Sequence, residues 1–169
     1  MGEKKIGFIP RVAVLGPLGP KEYGILITNE RSIFVLESNS KAMLGGIIGG
    51  AIGAAIGDFM SSKKEIDYVH EPIEALASMK DSISVPHTSI SSIVIKRKLS
   101  SPYLNIGYLE SGRKKKIEAL LTRPEALVTQ KQIQGKSKKE ILKEYAEEVW
   151  KAFERGLPPE AARQIQVRL

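Results

Sequence analysis

Apolar positions recur with period two over most of the chain and with a helical period in two places. Residues 6–15, IGFIPRVAVL, alternate loosely and are rich in β-formers, which predicts a strand broken at Pro10. Gly16, Pro17, Gly19 and Pro20 punctuate a loop. Tyr23 to Thr28 and Arg31 to Glu37 read as a hairpin turning tightly at Asn29 and Glu30. Tyr23, Ile25 and Ile27 share one face of its first strand, and Phe34 and Leu36 one face of its second. After a glycine-rich stretch and the polar, basic run Ser61 to Val69, Glu71 to Lys80 places Ile73, Leu76, Ala77 and Lys80 at helical spacing.

From Ser82 the period is two again. Ser82 to Val85 is a short strand ending at Pro86, and Ile90 to Lys98 carries Ile93 and Ile95 on one face. Tyr103 to Glu110 aligns Leu104, Ile106 and Tyr108. Ser111-Gly112 turns the chain, and Lys115 to Leu121 alternates Ile117, Ala119 and Leu121. These three strands argue an antiparallel meander. The last element is a helix. Ser137 and Glu140 form a capping box, Ile141, Leu142, Tyr145, Val149, Trp150 and Phe153 an apolar stripe, and Gly156, Pro158 and Pro159 stop it. The tail beyond Pro159 could make a short amphipathic helix or fray.

The order strand, hairpin, insertion, meander, C-terminal helix resembles the pleckstrin-homology superfold, in particular the bacterial and archaeal PH-like and GRAM-like domains. Ile25 to Glu37, ILITNERSIFVLE, is similar to that family's hairpin. Ser84 to Arg97, SVPHTSISSIVIKR, is similar to its segment of spaced isoleucines after a proline. The likeness covers about two thirds of the chain. It implies an α+β fold: a small antiparallel barrel or sheet closed by the C-terminal helix, with a Gly-rich helical insertion between early strands. The expected organisation is a β domain over 1–135, with the insertion at 41–62 and a short helix at 71–80. A capping helix over 136–156 and a tail over 157–169 follow. The insertion departs from a plain PH-like domain.

That insertion, Ala42 to Gly57, has no charged residue. Gly45, Gly49, Gly53 and Gly57 recur every fourth position, and Gly46, Gly50 and Ala54 form a second row. On a helix each row is one nearly bare face on which another backbone can approach closely. Sixteen helical residues reach about 24 Å, short of a hydrocarbon core of about 30 Å. A single crossing would also separate the hairpin from the meander on opposite sides of a bilayer. Glycine costs about 1 kcal/mol against alanine in a helix interior, so lipid or a packing partner is needed. Shallow or re-entrant membrane insertion, self-association into a homo-oligomer, a helix packed on its own domain or on a partner, and a flexible loop remain open.

Charge narrows the partners. Twenty-six basic residues against nineteen acidic ones give a formal charge of +7, which favours anionic surfaces. The bases cluster at Lys63-Lys64, at Lys96-Arg97-Lys98 and at Arg113-Lys114-Lys115-Lys116, with Lys136, Lys138 and Lys139 opening the final helix. No aromatic residues interleave with them and no recognition helix is legible, which argues against nucleic acid. With no cysteine and two histidines, His70 and His87, neither a metal site nor a catalytic set is expected. His87 follows Pro86 in a predicted turn and reads as a plain loop residue. Gly107 to Lys114 has the spacing of a phosphate loop but lacks its Lys-Ser/Thr pair and falls in a hairpin. No apolar leader or myristoylation pattern is present at the N-terminus. The sequence thus points to a non-enzymatic, cofactor-free PH-like module, cytoplasmic and peripheral at an anionic membrane. The alternative is a soluble interaction domain whose glycine helix packs on its own barrel or on a partner.

Overall fold

The computed structural model describes residues 2–38, 66–98, 101–121 and 135–168. Within them an eight-stranded sheet carries the fold, in the order β4-β3-β2-β1-β7-β6-β5-β8. The N-terminal half is β1 (Lys5–Gly16), β2 (Gly19–Thr28), β3 (Arg31–Ser38) and β4 (Ile83–Pro86). The second half is β5 (Ile90–Lys98), β6 (Ser101–Glu110) and β7 (Arg113–Leu121). Helix α1 (Ile73–Ala77) precedes β4. Helix α2 (Lys138–Gly156) follows β7 and leads into α3 (Pro159–Ala162) and β8 (Ile165–Arg168).

β1 joins the two halves because it bends rather than breaks at Pro10. Its register slips between Ile9 and Val12, and Arg11 takes a left-handed φ of 54°. A bulge of this kind re-aims a strand and increases its twist. The whole strand therefore pairs with β2, while Val12, Ala13 and Val14 also pair with Leu121, Leu120 and Ala119 of β7. The expectation of a closed barrel is corrected here: the order starts at β4 and ends at β8, so the sheet is open with two edges. It is not wholly antiparallel either. β8 runs parallel to β5, Ile93 to Lys96 facing Ile165 to Arg168. α3 turns the chain just before β8, which is how the tail reaches the β5 edge instead of fraying.

Two cores lie on opposite faces. The larger holds Ile25, Ile27, Phe34, Ile93, Ile95, Leu104 and Ile106, with Ile117 at the same period of two. Tyr145, Val149 and Phe153 of α2 close over it. Ser137 caps α2 by accepting the Glu140 N–H at 3.3 Å, and Glu140 Oε2 accepts the Ser137 N–H at 2.8 Å. The smaller core holds Leu26, Ile33 and Val35 on the other face of β2 and β3, covered by Tyr68 and Leu76. Tyr68 stacks on Phe8 with ring centroids 4.0 Å apart. The predicted helix at 71–80 is shorter because its chain exits at Ser78 and Asp81 takes a φ of 62°. Among the described residues no helix is long and apolar enough to cross a membrane. The expected glycine rows, Gly45, Gly49, Gly53 and Gly57 with Gly46 and Gly50, lie outside the described residues.

Candidate functional site

The basic clusters separate by sheet register. Arg113 to Lys116 opens β7 and all four are exposed. Lys96 and Arg97 are exposed on β5, which Lys98 ends, at the β5–β6 connection. Lys96 faces Tyr103 and Lys115 faces Tyr108 on the intervening strand β6. Five residues of β6 thus separate the two levels, roughly 17 Å, and the clusters occupy opposite ends of the meander. Lys63 and Lys64 lie outside the described residues.

The Arg113–Lys116 end gathers other exposed groups. β1 and β7 are antiparallel, so the β1–β2 turn at Pro17-Leu18 and the β6–β7 turn at Ser111-Gly112 emerge on the same side. Leu18 at the first turn is 92 % exposed, and Leu109 beside the second is 47 % exposed. Lys21 lies close behind Leu18, 3.7 Å from Asp81. Lys115 lies 3.6 Å from Glu110, and Lys116 pairs with Glu118. β3 also ends at this side, with Ser38 facing Glu22. Sequence reasoning missed Leu18. The signal was a lone leucine between Gly16-Pro17 and Gly19-Pro20, a loop too short to bury it.

A cleft of 580 Å³ opens at the other end, between the β2–β3 turn, the turn after β4, α1 and Pro158. Glu3 organises it. Its Oε1 accepts from Thr28 Oγ1 at 2.7 Å and Arg31 Nε at 2.9 Å, and its Oε2 accepts from Arg31 Nη2 at 2.9 Å. Arg31 also donates to Glu74. The Arg31 hydrogen bond holds the Glu3 carboxyl below the usual carboxylate range, so near neutral pH it is an anion with no proton to give. His87 is buried, with Nε2 3.0 Å from Ser32 Oγ. The expectation of a plain loop residue is corrected: the turn His87–Ser89 is drawn under the sheet by its backbone N–H, which donates to Glu30 O at 2.8 Å. Ser32 is fully buried, so this Ser-His pair offers no accessible nucleophile. His70 is exposed and its Nδ1 lies 2.8 Å from Asp67 Oδ2. Among the described residues no group of His, Asp or Glu side chains could hold a metal ion.

No family model matches the chain, and no curated protein matches it. Among solved structures it is similar to the hSac2 domain from human phosphoinositide phosphatase Sac2, at 9 % identity and a TM-score of 0.48, over 98 % of this chain and 76 % of that one. A likeness so distant bears on neither fold nor function. The residues themselves divide the two ends. The Glu3–Arg31–Glu74 network sets two carboxylates against one guanidinium, a formal charge of −1, and clasps the N-terminal segment to the β2–β3 turn. The Leu18 end instead combines unburied apolar surface with bases.

Proposed function

We propose that this protein is a non-enzymatic module that docks on anionic membrane surfaces, with a PH-like arrangement of two meanders and a following helix as its scaffold. One observation carries the reading: Leu18, 92 % exposed, emerges on the same side of the sheet as the exposed run Arg113 to Lys116. An unburied leucine inside a basic rim suits the interface between headgroups and acyl chains. Asp81, Glu110 and Glu118 pair with bases of this rim, and the run at Arg113 to Lys116 still outnumbers them. Ser38, the last residue of β3, lies on this same side, which suits a role at the membrane for the uncharged stretch Ala42 to Gly57 that follows it in sequence.

Each base close to an anionic leaflet contributes on the order of 1 kcal/mol. Replacing Arg113, Lys114, Lys115 and Lys116 by Gln is expected to weaken partitioning by up to about a thousandfold. The measurement is flotation with vesicles containing phosphatidylserine, against vesicles of phosphatidylcholine alone. Changing Lys96 and Arg97 to Gln at the opposite end is expected to have a much smaller effect. If the fourfold variant floats as the native chain does, the reading is wrong.

A second reading, a soluble interaction domain, is favoured by the packing of Tyr68 and Leu76 on the outer face of β2 and β3. It shows that the chain beyond the insertion returns to the domain. Under this reading the intact protein stays out of both vesicle fractions and Ala42 to Gly57 resists protease without lipid.

A further inference from the structure

His87 has no part in membrane docking, yet it is built into the opposite end of the fold with unusual completeness. It is 1 % exposed, and its Nδ1 is buried without a hydrogen bond of normal geometry. Its ring packs against the last residue of α2. A Cβ on Gly156 would lie 3.8 Å from His87 Cε1, 2.4 Å from Ile27 Cγ2 and 3.0 Å from Thr28 O. The helix end is thus pressed closely on Ile27 and Thr28 at the β2 end, while the imidazole lies at ordinary contact distance from the same point and lines the cleft with Pro158.

Charged groups reach this point from each neighbouring element. Glu3 comes from the N-terminal segment, Glu30 and Arg31 from the β2–β3 turn, and Glu74 from α1. The Gly156 carbonyl comes from the end of α2. Burial disfavours the imidazolium, while the Gly156 carbonyl and Glu3 favour it. Burial prevails and holds His87 at about 4, below the ordinary value near 6.5. Once protonated, the ring has two N–H donors. Ser32 Oγ can accept one; the other needs water or a moved carbonyl.

We propose that His87 is an acid-operated latch: proton uptake by its buried imidazole releases the end of α2 and the segment Leu157–Arg168 from the β2–β3 turn, while the two meanders stay paired. The sign follows from linkage. The closed form binds the proton less tightly than the open one, so closure is fully favoured above about pH 6.5 and is lost progressively as pH falls towards 4. From well above pH 6.5 to well below pH 4 the open population rises by up to about 300-fold. Release carries β8 away and bares Ile93 to Lys96 on β5.

Hydrogen exchange on the full chain at pH 7.0 and pH 4.5, corrected for intrinsic rates, reads the release directly. Peptides from Leu157–Arg168 are expected to lose at least about tenfold more protection than peptides from Tyr103–Glu110. In His87→Gln that difference between the two pH values is expected to vanish. Equal loss in both regions, no loss, or the same loss in His87→Gln overturns the latch. Should His87→Gln already be open at pH 7.0, titration of the imidazole in the unaltered chain by NMR decides, with exposed His70 as internal reference. A midpoint coinciding with the loss of protection supports the latch, and a midpoint near 6.5 removes it.

Discussion

A Cβ added at Gly24 would lie 2.3 Å from Tyr68 Oη and 2.7 Å from Glu37 Oε1. The tyrosine cannot simply swing aside, because its hydroxyl donates to Glu37 at 2.7 Å and its ring is stacked on Phe8. Gly24→Ala is therefore expected to destabilise the fold by about 1–3 kcal/mol, the usual cost of overpacking. Thermal unfolding measures it, and an unchanged Tm would mean that the smaller core has slack. Leu18 gives the opposite case at the same scale. It packs against almost nothing, so Leu18→Ser is expected to change stability by no more than about 0.5 kcal/mol, with Tm little altered. The same change is expected to weaken flotation on anionic vesicles about tenfold or more, since burying a leucine is worth about 1.5–3 kcal/mol. A fall in Tm without loss of binding would place Leu18 in the fold instead of at the membrane.

Among the elements, α2 is the one whose limits follow most directly from local chemistry. Ser137 and Glu140 satisfy each other's backbone donors at its start, and Ile141, Tyr145, Val149 and Phe153 bury one face along its length. Ser137→Ala removes one of those partners at an exposed position. The expected cost is about 1 kcal/mol, or a fall in Tm of about 2–4 °C for a chain of this size. Calorimetry that shows no shift would mean that α2 is held by its apolar face alone. β1 behaves differently, since its residues predict a broken strand and the molecule keeps it whole. The bulge at Pro10-Arg11 places the proline between two registers, and the Pro10 carbonyl accepts from Tyr145 Oη at 3.4 Å. The break in pattern thus became the hinge that lets one strand serve both halves of the sheet.

At the scale of the whole molecule, the sheet stays open and its two edges are protected unequally. β4 is four residues long and ends in Pro86, which blunts it. β5 is covered over Ile93 to Lys96 by β8, whose own residues are mostly exposed. Truncation after Arg163 uncovers that stretch of β5 and is expected to make sedimentation depend on protein concentration, where the full-length chain at equal concentration does not. A truncated chain that sediments as native would show that β5 needs no cover. Charge is also divided at this scale, with the Glu3–Arg31–Glu74 clasp, two carboxylates on one guanidinium, at one end and the Arg113–Lys116 run at the other.

Strands β5, β6 and β7 and helix α2 were legible because each is amphipathic over its own length, and a period of two or 3.6 needs no knowledge of the partner. β2 and β3, buried on both faces, were legible as short β-rich apolar runs flanking a tight turn. The same holds for the Arg113–Lys116 run, since contiguous charge must be solvated wherever it falls. The burial of His87, the clasp between Glu3 and Arg31, the second core under Tyr68 and the parallel pairing of β8 were not legible. Each joins residues distant in sequence, Glu3 with Arg31 or Ile93 with Ile165, and no local pattern records such a meeting. The shared side of Leu18 and Arg113 was likewise decided only by strand register. The chain alone determined most of the strands, the long helix and where charge resides; pairing across the sheet kept β1 whole, made the tail a strand and decided which groups meet.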